Sequence, residues 1–207
     1  METNYKQHWD EAFEKTETEK LGWYETTPQK TLELIHHCNI PKDARILNVG
    51  VGTTTLIEAL IEEGFTNILA SDLSTSALDL LKKRVQSDKV TYVQDDLTHS
   101  QNLKDIEPID LWIDRAVLHF FNEEKDQKAY WELLNKVLKP GGYALIAAFS
   151  LQGAEKCCGL PVHRYSADML AKGIGTDFQL EEASDYTFIN PHGGERPYVY
   201  TLFRKNF

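Results

Sequence analysis

The chain has 207 residues, a formal net charge of −10, 42% hydrophobic and 26% charged residues, which is ordinary for a globular domain with a real core. An acidic balance excludes a phosphate backbone as main partner, because that demands a basic footprint. No apolar run reaches membrane-span length, and the N-terminus lacks the basic start and apolar stretch of a signal peptide, so a single cytoplasmic domain, 1–207, without membrane contact is expected.

Segment 1–24 stands apart. Tyr5, Trp9 and Phe13 recur every four residues, an aromatic stripe on one helix face, and Gly22-Trp23-Tyr24 follows. Thr27-Pro28 reads as the N-cap and first residue of a helix. Leu32, Ile35 and Cys38 would form its buried face, and Asn39-Ile40-Pro41 its stop. From residue 45 strands and helices alternate. The pattern predicts a strand at 45–49, a helix at 54–63 closed by Gly64, a strand at 67–71 and a helix at 75–86. Lys82-Lys83-Arg84 near that helix end suits the macrodipole. Strands follow at 91–93 and 109–113. A helix at 123–138 buries Tyr130, Leu133, Leu134, Val137 and Leu138, and Lys139-Pro-Gly-Gly142 ends it. The run 143–149 is apolar throughout, so it is a central strand. A short helix at 166–172 precedes two extended runs, 181–190 and 198–204, around the turn-rich segment 190–197, which predicts a hairpin with a long loop.

The run Ile46-Leu-Asn-Val-Gly-Val-Gly-Thr-Thr-Thr-Leu56 is a short strand, a glycine turn and a helix start. Asp72 stands twenty residues after Gly52, at the end of Ile68-Leu-Ala-Ser-Asp. This is the spacing of a mononucleotide-binding βαβ unit, in which the acid on the second strand receives a ribose diol. A dinucleotide would want a third glycine where Thr54 or Thr55 stands, so that helix and pyrophosphate can approach. A ligand without phosphate tolerates this fuller turn. The three cysteines, Cys38, Cys157 and Cys158, have neither CxxC spacing nor an even count, and the adjacent His36 and His37 point apart on a helix, so no metal is expected.

Several of these motifs occur in order: Ile46–Thr54, Ile68–Asp72, Val93-Gln-Asp-Asp-Leu97, Asp110–His119 and Val137-Leu-Lys-Pro-Gly-Gly-Tyr143. From about residue 41 onward the chain resembles the class I S-adenosylmethionine (SAM) dependent methyltransferases. The resemblance implies SAM as cofactor and a Rossmann-like α/β sandwich. It implies a seven-stranded, mostly parallel sheet of order 3-2-1-4-5-7-6 with strand 7 antiparallel, and the aromatic stripe of segment 1–24 is expected either as a helical lid or as a helix packed on the sheet edge. The Trp…Trp-Tyr opening is similar to small bacterial methyltransferases of unassigned substrate, to elongation-factor lysine methyltransferases and, more loosely, to thiopurine methyltransferases.

The resemblance assigns cofactor roles to Asn48, where the family usually has an acid, and to Gly50, Gly52, Asp72, Leu73, Asp96, Leu97 and Asp114. Asp72 would take both ribose hydroxyls, with Ser74 or Thr75 free to cap the next helix. Asp96 would meet the adenine amino group and the Leu97 amide a ring nitrogen, while Asp95 is expected in solvent. Trp9, Trp23 and Tyr24 would close over the ligand, since aromatic faces suit a sulfonium and an adenine. Beyond strand four, His119 is either a base at the acceptor or a packed histidine, and Arg115 a partner for some acid. Cys157, His163 and Arg164 are either lining of the acceptor pocket or an ordinary loop, and Arg164 would suit an anionic acceptor. The expected function is methyl transfer to a small molecule. A protein lysine methyltransferase and a non-catalytic SAM-binding domain are the rivals. The run Asp114-Arg-Ala-Val departs from the Asp-Lys-Gly-Thr-like run usual in the lysine enzymes.

Overall fold

The computed structural model describes residues 4–207; the first three residues of the expected lid lie outside the described residues. Helix α1 (Tyr5–Lys15) opens on Asn4, whose side chain accepts from the Gln7 amide. Helix α2 (Gln29–Cys38) ends at Asn39, which takes the left-handed conformation. Its N-cap is Pro28 rather than Thr27, one residue later than expected.

Strands β1 (Arg45–Val49), β2 (Asn67–Asp72), β3 (Val90–Gln94) and β4 (Ile109–Arg115) alternate with helices α3 (Leu56–Glu62) and α4 (Thr75–Val85). Then come α5 (Glu124–Val137), β5 (Leu138–Phe149), the two-residue strands β6 (Lys156–Cys157) and β7 (Leu160–Pro161), α6 (Ala167–Ile174), β8 (Phe178–Ile189) and β9 (Glu195–Lys205). The main sheet has seven strands in the order β3-β2-β1-β4-β5-β9-β8. Strands β1 to β5 pair in parallel, and β9 runs antiparallel to both β5 and β8. Counted within this sheet, that is the expected order with the seventh strand reversed.

Three expectations change. Lys139-Pro-Gly-Gly142 does not separate helix from strand. Strand β5 begins at Leu138, directly after α5, and this run bulges out of the pairing with β4 between Leu138, opposite Ile109, and Tyr143, opposite Leu111. Strand β9 begins at Glu195, so the hairpin loop is shorter than the turn-rich composition suggested. Segment 153–165, read as a loop, carries the small β6–β7 hairpin.

The core lies on both faces of the sheet. Successive residues of β1 divide between them: Ile46 joins the cluster built with α2, α3 and α4, and Leu47 the cluster built with α5 and α6. That two-sided burial is why the parallel strands read as unbroken apolar runs. A third, small cluster ties α1 to the edge: Phe13 and Leu21 pack with Ala77 of α4 and with Trp9, Trp23 and Tyr24. Among the described residues no helix is long and apolar enough to cross a membrane.

Candidate active site

The carboxyl ends of β1 to β4 and the start of the reversed strand β9 meet at one edge, and the segment up to α2 lies across it. A cavity of about 200 Å³ runs along this edge. Open α/β sheets bind ligands in just this crevice, at the switch between β1 and β4.

One end is the turn after β1. Gly50 (φ +57°) and Gly52 (φ +49°) both take left-handed conformations. A Cβ on Gly50 would lie 1.9 Å from a Val117 methyl, so no other residue fits there. The turn is held by the Asp72 carboxylate: Gly52 N–H donates to Oδ2 and Ser74 N–H to Oδ1, each at 2.8 Å. Ser74 caps α4 by accepting from Ala77 N–H. Burial pushes the Asp72 carboxyl up to about 6, against the pull of the Ser74 and Gly52 amides. Asn48 anchors its amide nitrogen on the Val49 and Ile113 carbonyls. Leu73, Asp96 and Leu97 complete the polar wall. Asp95, expected in solvent, is buried: its carboxylate collects the amides of Asp96, Gln101, Asn102 and Leu103 and the Ser100 hydroxyl, and so shapes the loop that carries Asp96.

The roof is aromatic. Trp9 meets Trp23 and Phe120 edge-on, at 5.8 and 5.0 Å between ring centroids, and the Phe13 edge would stand 3.1 Å from a Cβ on Gly52. Asp10 fastens this helix to the cofactor end, accepting from Ser74 Oγ at 2.7 Å and Ser76 N–H at 3.2 Å.

The other end is built around Arg115, at the tip of β4. Its guanidinium lies between the rings of Phe188 and Tyr198 and donates to the Trp23 carbonyl and the Tyr200 hydroxyl. Glu25 stands 3.1 Å from its Nε. Burial raises the Glu25 carboxyl above its ordinary range, against the attraction of Arg115. Glu25, Arg115, Tyr198, Phe120 and Cys157 all face the cavity.

Four expected site residues lie elsewhere. His119 is fully buried and packs on Phe120 and Phe149. Its Nδ1 accepts from Phe149 N–H, and burial, with the Arg115 charge, pushes it down to about 3, so it is a neutral core group and no base at the cavity. Arg164 is taken by the Leu151 and Gly153 carbonyls and by Glu155, so it braces its own loop. Asp114 points away from the cavity: it accepts from the Tyr130 hydroxyl and from the Val117 and Leu118 amides, and so fixes the turn after β4. Of the 153–165 segment only Cys157 reaches the cavity, while His163 packs on Tyr165. Glu25 and Tyr198 were missed. Glu25 follows Trp23-Tyr24 directly, but nothing in its neighbours marks it. Tyr198 faces the site because β9 runs backwards.

Asp72, Leu73, Asp96 and Leu97 line the cavity at the ends of β2 and β3, beside the glycine turn after β1. Residues 47–146 match a family model described as a methyltransferase domain. The fold is shared with a SAM-dependent methyltransferase from Anabaena variabilis (TM-score 0.81, 13% identity, 99% of this chain and 96% of that one). It is also shared with the N-methyltransferase NodS from Bradyrhizobium japonicum bound to S-adenosylhomocysteine (TM-score 0.72, 12% identity, 96% and 98%). Residues 47–146 thus carry a methyltransferase domain, set in a fold shared with SAM-dependent methyltransferases. In sequence it is similar to EEF1A lysine methyltransferase 2 of Mus musculus, 27% identical over 167 residues, covering 72% of this chain and 67% of the relative. The human counterpart is 24% identical over 157 residues, covering 69% and 66%. The chain thus spans about two thirds of these relatives.

Proposed function

We propose that this methyltransferase acts as one cytoplasmic domain on a small-molecule acceptor, held at the Glu25–Arg115 end of the cavity. One observation carries the reading: the aromatic roof of Trp9, Trp23 and Phe120 covers the edge where the methyl group would be presented. Asn48, Gly50, Gly52, Asp72, Leu73, Asp96 and Leu97 would hold the cofactor, and Trp9 and Trp23 would cover it.

SAM supplies an electrophilic methyl on a sulfonium. What the chain adds is binding, alignment and exclusion of water. Asp72 holds the ribose, the glycine turn lets the ligand lie against backbone, and the aromatic faces shield the positive charge. Strand β4 and the turn fixed by Asp114 set where the acceptor stands.

The test is the fate of methyl label after incubation with a fractionated lysate. Label in low-mass compounds supports the reading, and label confined to protein lysine overturns it. The lysine reading stays as the second one, because the curated relatives are named as lysine methyltransferases.

A further inference from the structure

We propose that the methylated atom is an amine nitrogen, received by the carboxylate of Glu25. This rests on the reading of that end of the cavity as the acceptor site.

The argument begins with an acid in an unusual place. Glu25 sits on the connector between α1 and α2, yet it is largely buried, with only 11% of its side chain exposed. A buried carboxylate is costly unless paired. Its pairing is incomplete. Arg115 meets it at Nε through one oxygen, Oε2, and no hydrogen bond joins Oε1 to any described residue. The partner is immobile: Arg115 is held by the Trp23 carbonyl, the Tyr200 hydroxyl and two aromatic faces. Glu25 therefore keeps an acceptor oxygen at the cavity wall, beside a group that fixes its position without saturating it.

The surroundings select the ligand. Trp23, Tyr24, Phe120 and Tyr198 line the same end, and aromatic faces with one carboxylate are the walls that suit an ammonium or amine. A carboxylate or phenolate acceptor would meet like charge at Glu25. Arriving as an ammonium, the acceptor gives one proton to the Glu25 carboxylate, which becomes a carboxylic acid. Its freed nitrogen lone pair then forms the new C–N bond while the C–S bond breaks, the bonding pair passing to sulfur. The methylated ammonium leaves and Glu25 returns its proton to solvent. Burial supports this by raising the Glu25 carboxyl, which makes it a better proton acceptor.

Besides the acids at the ends of β2 and β3, Asp126 also lines the cavity, so the test includes it. The protein saturated with S-adenosylhomocysteine is titrated with benzylamine and with benzyl alcohol by calorimetry. The expected result is a preference for the amine that falls at least roughly tenfold in Glu25→Gln and survives in part in Glu25→Asp. Unchanged S-adenosylhomocysteine affinity in both variants shows that the fold is intact. Equal binding of the two probes overturns the proposal, as does a preference that survives Glu25→Gln or one lost in Asp126→Asn instead. The linkage of transferred label is a second arm. Methyl on nitrogen supports the proposal, and a base-labile ester or a thioether overturns it. The mass of the labelled product tests the small-molecule reading separately, so a methylated protein lysine would overturn that reading and leave Glu25 standing.

Discussion

At the scale of single residues, Asp72 joins fold to function. Both oxygens accept backbone amides, so the carboxylate that would hold the ribose also sets the turn beneath it. Asp72→Ala removes the charged acceptors and orphans two buried N–H groups. The expected loss of SAM affinity is about 2–4 kcal/mol, read by calorimetric titration, with a lowered melting temperature in the unliganded protein. Ionisation of Asp72 adds a pH dependence. Its carboxyl is raised to about 6 by burial, so it is charged above that pH and neutral below. A neutral carboxyl offers the diol one acceptor oxygen fewer. SAM affinity should therefore hold above about pH 7 and fall by up to roughly tenfold between about pH 7 and pH 5. Titrations across this range check it, and a flat profile would mean that Asp72 does not receive the ligand. The glycine turn and Asp72 were legible because their spacing follows from backbone approach to a ligand. His119 and Arg164 each kept two readings in the sequence because chain position identifies an edge of the sheet and not the direction of a side chain. His119 turns into the core between Phe120 and Phe149, and Arg164 finds carbonyls nearer than any ligand.

Among the elements, α1 shows what periodicity can and cannot reveal. The stripe of Tyr5, Trp9 and Phe13 announced a face to be buried, and Phe13 and Trp9 do pack on the cavity side. The latch was not legible: Asp10 lies on the polar part of the helix, and its partners Ser74 and Ser76 are more than sixty residues away. Only the tertiary arrangement brings them together. Asp10→Ala removes two hydrogen bonds to the start of α4 while leaving Ser74 on Ala77. The expected outcome is a folded protein with SAM binding weakened by about 1–3 kcal/mol. Amide exchange should quicken across residues 5–15 and stay unchanged in β1 and β4. Unchanged exchange in that helix would assign its hold to the aromatic cluster alone.

For the molecule as a whole, the alternation of strands and helices was readable because the central strands β1, β2, β4 and β5 are buried on both faces and the helices bury one. The order of the strands came from family resemblance, since hydrophobic pattern carries no information on which strand lies beside which. The terminal hairpin matters most here. Strand β9 is the one reversed strand, and its reversal brings Tyr198, paired with Phe149, to the edge where the parallel strands end. A parallel strand in that slot would present its last residues there instead. The Glu25–Arg115 end of the cavity is thus assembled from the connector before α2, the tip of β4 and the beginning of β9, three pieces separated by most of the chain.

The clasp across that edge also has a kinetic meaning. Trp23 and Glu25 are fastened to Arg115, and Asp10 to Ser74, so a spent cofactor in the cavity would lie behind a gate closed at both ends. Escape of that product requires the gate to unfasten, and such openings commonly set the pace of an enzyme cycle. Rapid-quench measurements should show a burst of methylated product in the first turnover, followed by a slower steady rate. Loosening one fastening by Asp10→Ala should shrink the burst and raise the steady rate, provided SAM is kept saturating. Linear product formation from the first millisecond in the unmodified enzyme would place the bottleneck in the methyl transfer itself.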